Sequence, residues 1–194
     1  MSEPSPRPAD SGPAATSKRD AAGETAAGVP EAKGKSATVQ AVTIAKPVSE
    51  IYGYFRNFAN LPTFMENVVS IDVKDDKLSH WVVKAPAGQT VEWDARVTDE
   101  QVDKFIAWTS EPGASVANSG RIDFRDAGRR GTVVSLTILY APPGGIISKL
   151  IAKMFQREPA IQARRDLARF KQLMETGEIA TSAMNRAQYE EEMA

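Results

Sequence analysis

Between residues 68 and 140 the chain alternates short runs of strand character with links too short to hold a crossover. The runs fall at 68–74, 78–85, 90–98, 104–110, 115–124 and 132–140, separated by KDDK, PAGQ, DEQVD, EPGA and DAGRRG. Parallel neighbours need a dozen or more residues between them, so each run pairs antiparallel with the next. In TVEWDARVT the alternation is clean: Val91, Trp93, Ala95 and Val97 share one face, and Glu92, Asp94 and Arg96 the other. Such a meander has one apolar face, and another part of the chain has to cover it.

The cover lies downstream. After APPGG breaks the sheet, IISKLIAKMFQREPAIQARRDLARFKQLMETG carries an apolar stripe through Ile147, Leu150, Ile151, Met154, Phe155, Ile161, Leu167, Phe170 and Met174. Pro159 predicts a kink or break near Glu158. Upstream, SATVQAVTI reads as a first strand at 36–44. KPVSEIYGYFRNF reads as a helix, with Val48, Ile51, Tyr52, Phe55 and Phe58 at helical spacing, and NLPTFM as a second, short helical turn. The expected fold is therefore α+β: a seven-stranded antiparallel sheet, two short helices after its first strand, and a long C-terminal helix. The domain is expected to span residues 36–177. Residues 1–35, rich in Pro, Ala, Gly and Ser and without an aromatic residue, read as a disordered leader, and 178–194 as a loose polar tail.

Composition narrows the chemistry. Cysteine is absent and histidine occurs once, which removes disulfides, thiol nucleophiles and any multi-histidine metal site. A net charge of -1 gives no nucleic-acid footprint. No run reaches the ~20 apolar residues of a membrane span, and the N-terminus lacks a signal peptide's apolar core. The expectation is a soluble, cytoplasmic protein whose oligomeric state the sequence leaves open.

Five strings, NLPTFMENV, VEWDARVTDE, IAWTSEPGASVANSGRIDF, LYAPPGG and DLARFKQLMETGEI, together with the order of elements, carry a resemblance. They resemble the Bet v 1-like, START-related helix-grip superfamily (SRPBCC), in particular its bacterial polyketide cyclase/dehydrase-like and coenzyme Q-binding START-like members. The resemblance covers about residues 36–180. It implies a strongly curved sheet wrapped around the long helix, with an internal cavity for apolar or amphipathic ligands, and it implies no particular ligand.

Within that arrangement the candidate ligand-binding residues are Phe64, Met65, Trp81, Trp93, Trp108, Asn118, Tyr140, Ile147, Ile151, Met154 and Phe155. Phe64 and Met65 read as lid or as packing residues, and the three tryptophans as pocket wall or as core. Asn118 and Tyr140 fall on apolar strand faces, so each is either satisfied by the protein or aimed at a ligand. Gly120 reads as a bulge or bend. His80 alternates with Trp81 and points away from the pocket side. No catalytic residue, metal or cofactor is implied: PPGG lacks the Lys-Ser/Thr of a phosphate loop. The cationic C-terminal helix, with Lys149, Lys153, Arg157, Arg164, Arg165, Arg169 and Lys171, reads as a solvated face or as a peripheral membrane contact. Three functions follow: binding or carriage of a hydrophobic small molecule such as a lipid, isoprenoid quinone or polyketide-like compound; a cyclase/dehydratase in which Asn118 and Tyr140 orient substrate; or a protein-interaction domain with a filled cavity.

Overall fold

The computed structural model describes residues 36–85, 88–140 and 159–180. The expected leader, the first half of the expected long helix and the end of the tail lie outside the described residues. In chain order the elements are β1 (Ser36–Ile44), α1 (Val48–Arg56), a 3-10 helix (Phe58–Thr63), β2 (Val68–Val73), β3 (Leu78–Lys84), β4 (Thr90–Gln101), β5 (Phe105–Ser110), β6 (Asn118–Asp126), β7 (Thr132–Tyr140) and α2 (Pro159–Thr176). All seven strands form one antiparallel sheet in the order β1-β7-β6-β5-β4-β3-β2. This is the helix-grip architecture that the resemblance implied. The described part of the C-terminal helix is Pro159–Thr176, and the kink or break predicted near Glu158 lies outside the described residues.

Registers decide which side chains face α2, since residues paired across antiparallel strands share a face. Trp81 pairs with Trp93, Ser79 with Ala95, Trp108 with Gly120, and Ile122 with Leu136, all on the concave side. His80 pairs with Asp94 on the other side.

β4 runs on to Gln101, past the expected end at 98. The reason is a bulge between Val97 and Asp99, which shifts the alternation so that Glu100 pairs with the buried Ile106 and turns toward α1. There Tyr52 Oη donates to Glu100 Oε1 at 3.1 Å and Arg56 Nε to Glu100 Oε2 at 2.9 Å. What read as a turn is a strand end that fastens the first helix to the sheet.

The core is concentrated at the end of the sheet where α1 and the 3-10 helix sit. Phe64 stacks on Phe170 of α2 with centroids 4.5 Å apart, and Phe55 lies between 6.0 and 6.2 Å from Phe64, Phe124 and Phe170. Ala163, Leu167, Phe170 and Met174 form the buried stripe of α2. Polar ties hold the helix in place: Arg169 Nε donates to Phe64 O at 2.9 Å, Lys171 Nζ to Thr43 O at 2.7 Å, and Glu175 Oε1 accepts from Ala45 N at 2.7 Å.

At this end the β6–β7 hairpin passes close to the exit of β1. Gly131 has φ 90°, and a Cβ there would lie 2.1 Å from Ile44 O and 2.7 Å from Ala45 Cα. Gly128, in the same hairpin with φ 59°, has open space. Gly128→Ala is therefore expected to cost about 1 kcal/mol for its backbone conformation alone, whereas Gly131→Ala also forces two backbones apart and is expected to cost about 3 kcal/mol or more. Urea denaturation of the two variants measures the difference, and equal losses would show that the close approach is relaxed at no cost.

Candidate functional site

α2 lies against β1 and the aromatic packing, and it stands apart from the strands on the other side of the sheet. A cavity of about 520 Å³ lies between them. Its base is formed by Phe55, Phe58 and Leu61, and its walls by Trp81 and Val83 of β3, Trp93, Ala95 and Val97 of β4, Trp108 of β5, and Leu136 and Ile138 of β7. Met65, Asn67, Lys84, Ile161, Gln162, Arg165 and Asp166 also line it, with Lys84, Ile161 and Arg165 exposed at its rim. The size lies within the usual range of small-molecule sites, as does a mostly apolar lining with a few polar groups.

Of the residues singled out from sequence, Met65, Trp81, Trp93, Trp108 and Asn118 line this one cavity. Phe64 does not: it is fully buried against Phe170, behind the wall, and its place is in the packing. The side chain of Tyr140, and all of Ile147, Ile151, Met154 and Phe155, lie outside the described residues. Tyr140 ends β7 opposite Asn118.

The indoles of Trp81 and Trp93 lie 8° from parallel with centroids 6.3 Å apart, and Trp81 Nε1 donates to Ser79 Oγ at 2.9 Å. The polar tip of Trp81 is thus satisfied and its face is left to the cavity. Gly120 is neither bulge nor bend, since β6 pairs without a register shift on both sides. It is there for Trp108, whose ring lies across it: a Cβ at Gly120 would stand 2.2 Å from Trp108 Cζ2.

Asp166, on the cationic C-terminal helix, is a lining residue that the sequence analysis does not single out. It stands three residues after Ala163 and four before Phe170, on the flank of the buried stripe, and that spacing is the signal that would have found it. Its Oδ1 accepts from Glu66 N at 3.3 Å and from Gln162 Nε2 at 2.9 Å. Burial pushes the carboxyl up to about 6, against the opposing pull of these two hydrogen bonds and of Arg169, and with a smaller push from Glu66. Lys84 Nζ donates to Glu66 O at 3.0 Å, so the turn after the 3-10 helix is held from both sides.

His80 faces away from the cavity, with Nδ1 2.7 Å from Asp94 Oδ1 and Nε2 3.6 Å from Glu92 Oε2. The bonds from His80 and Lys74 hold the Asp94 carboxyl below the usual carboxylate range. Arg169 and Lys171, two of the helix cations, point inward onto backbone carbonyls. Among the described residues no group of three or more acidic or histidine side chains could hold a metal ion, and no helix is long and apolar enough to cross a membrane.

A family model described as polyketide cyclase / dehydrase and lipid transport matches residues 44–168. A crystal structure from Deinococcus radiodurans is 41% identical, with a TM-score of 0.61, covering 74% of this chain and 99% of that one. An uncharacterized 17.2 kDa protein of Streptomyces lincolnensis is 29% identical over 137 residues, 70% of this chain and 87% of its own length. The Zhui aromatase/cyclase from a Streptomyces species shares the fold at 12% identity and a TM-score of 0.59, covering 75% of this chain and 99% of its own.

Two outcomes follow from the site. Between about pH 4 and 6 the folded protein holds a proton on Asp166 that the unfolded chain has released, so this group's contribution falls as pH rises through that window, and above it the ionised carboxylate is a cost. Asp166→Asn, which keeps the acceptor for Glu66 N, is expected to stabilise the protein by about 1–2 kcal/mol at pH 8 and by nothing below pH 4. Chemical denaturation across pH measures this, and a variant that is less stable at pH 8 would contradict it. Gly120→Ala is expected to displace the Trp108 ring and cost about 1–3 kcal/mol, with a change in tryptophan emission. An unchanged spectrum and unfolding midpoint would mean the ring is not held there.

Proposed function

The chain belongs to the polyketide cyclase/dehydrase and lipid-transport family, and from that premise we propose that it binds or carries a hydrophobic small molecule, such as a lipid, isoprenoid quinone or polyketide-like compound, in the cavity between sheet and helix. The observation that carries this reading is the cavity itself: about 520 Å³ walled by three tryptophans and aliphatic side chains. An empty apolar volume of that size forfeits packing energy that a filled core would gain, and an apolar ligand recovers it. Met65, Trp81, Trp93 and Trp108 are the contacts proposed for the apolar body of the ligand. Asn118 supplies a polar contact.

Cyclase or dehydratase chemistry is the second reading, and one observation favours it. Asp166 lines the cavity and carries a carboxyl that exchanges its proton near pH 6, the property expected of a general acid or base working close to neutrality. Turnover of a polyketide substrate separates this from carriage.

Ala95 lies at the middle of the wall, buried and paired with Ser79 and Ser110. Ala95→Phe places a ring in the cavity. With cis-parinaric acid as the probe, the wild-type protein is expected to show saturable one-to-one uptake with tryptophan quenching. Ala95→Phe, with its circular dichroism unchanged, is expected to bind at least about tenfold more weakly, some 1.4 kcal/mol. No saturable uptake by the wild type, or equal uptake by the variant, would overturn the reading.

A further inference from the structure

Asn118 is the first residue of β6, 7% exposed, on the concave face and in the cavity wall. Its backbone is occupied: the N–H donates to Ser110 Oγ at 3.1 Å and the carbonyl accepts from Thr109 Oγ1 at 3.4 Å. Its side chain is half occupied. Nδ2 donates to Val116 O at 3.0 Å. A backbone carbonyl can only accept, so the NH₂ end of the amide must be the one that meets it, and this fixes Oδ1 on the other prong. Among the described residues no donor meets Oδ1. The wall beside it is apolar: Val116 two residues back, and Trp108 and Ile138 across Gly120 two residues on.

An amide oxygen in the wall of a mostly apolar cavity, with no donor among the described residues, is open to a donor brought by a ligand. A ligand presenting a carbonyl or ether oxygen at the same point would set acceptor against acceptor. We infer that Asn118 Oδ1 is the interior recognition point of the cavity, selecting apolar ligands that carry a hydroxyl or N–H on the end lodged against the start of β6. This rests on the cavity being a ligand site, and it adds which chemistry the ligand presents there. Sequence places Asn118 on an apolar face and leaves open whether it is satisfied or aimed at a ligand; its nitrogen is satisfied by Val116 O, and among the described residues no donor meets its oxygen.

The test uses two probes of one shape, 1-naphthol and 1-methylnaphthalene, titrated into the full-length protein and into Asn118→Leu by calorimetry. The affinity ratio of naphthol to methylnaphthalene is expected to fall about three- to tenfold in the variant, the size of one hydrogen bond, while methylnaphthalene binds the variant at least as well as the wild type. A ratio that does not change when both probes bind overturns the role of Asn118 and leaves the cavity reading standing, since Oδ1 is then already served by a protein donor or a water. Binding of neither probe overturns both. Should Asn118→Leu not fold, the wild-type side-chain amide resonances of Asn118 decide: they shift more with naphthol than with methylnaphthalene if the inference holds, and equally or not at all if it fails.

Discussion

The contact between Phe64 and Phe170 is the one on which the rest of the architecture depends. One ring comes from the turn after the 3-10 helix and the other from α2, 106 positions apart by residue number, and they stack at 4.5 Å with Phe55, Tyr54 and Phe124 gathered around them. Aromatic rings bury more area per residue than any other side chain, so placing them together closes one end of the sheet firmly. With most of the phenylalanine spent there, the tryptophans remain for the other half. They line the concave face of three neighbouring strands, β3 to β5, and the cavity lies between that face and α2, which the rings anchor at one end.

Polar groups then give the cavity its character. Asp166 and Lys84 brace the turn that carries Met65 through the Glu66 backbone, from the helix and from the sheet respectively. Bracing through a carboxylate that burial holds near a pKa of 6 is costly at neutral pH. Native chains tend to tolerate such costs where activity or binding needs the group. Asn118 is a second polar group on the lining, a side-chain amide beside apolar neighbours. Both lie on the lining, while the charged cluster of Lys74, His80, Glu92 and Asp94 is on the convex face with its partners around it.

Much of the fold was legible because it rests on local rules. The two flanking strands run over the residues expected from alternation, and the outward placing of Glu92, Asp94 and Arg96 follows from period two alone. β4 overran its expected end because a bulge is a departure from that period, and only Tyr52 and Arg56, distant in sequence, give it a reason. The site was legible in its apolar part. What sequence left open or missed shares a cause: Phe64, Gly120 and Asp166 each owe their role to a partner on another element. Phe64 reads as lid or as packing until its stacking on Phe170 decides for packing; Gly120 reads as a bulge or bend because its partner Trp108 is on another strand; and Asp166 stands out only once the 3-10 helix and the turn after it are placed beside α2.

The central claim is that the hollow half of this molecule exists to be filled by an apolar guest. Native mass spectrometry of the full-length protein as purified, followed by organic extraction and identification of whatever leaves it, addresses that directly. One small apolar compound per folded chain is expected, lost on denaturation and regained when the refolded protein meets the extract. A protein that appears at its chain mass alone, and remains there after exposure to a lipid extract, would contradict it.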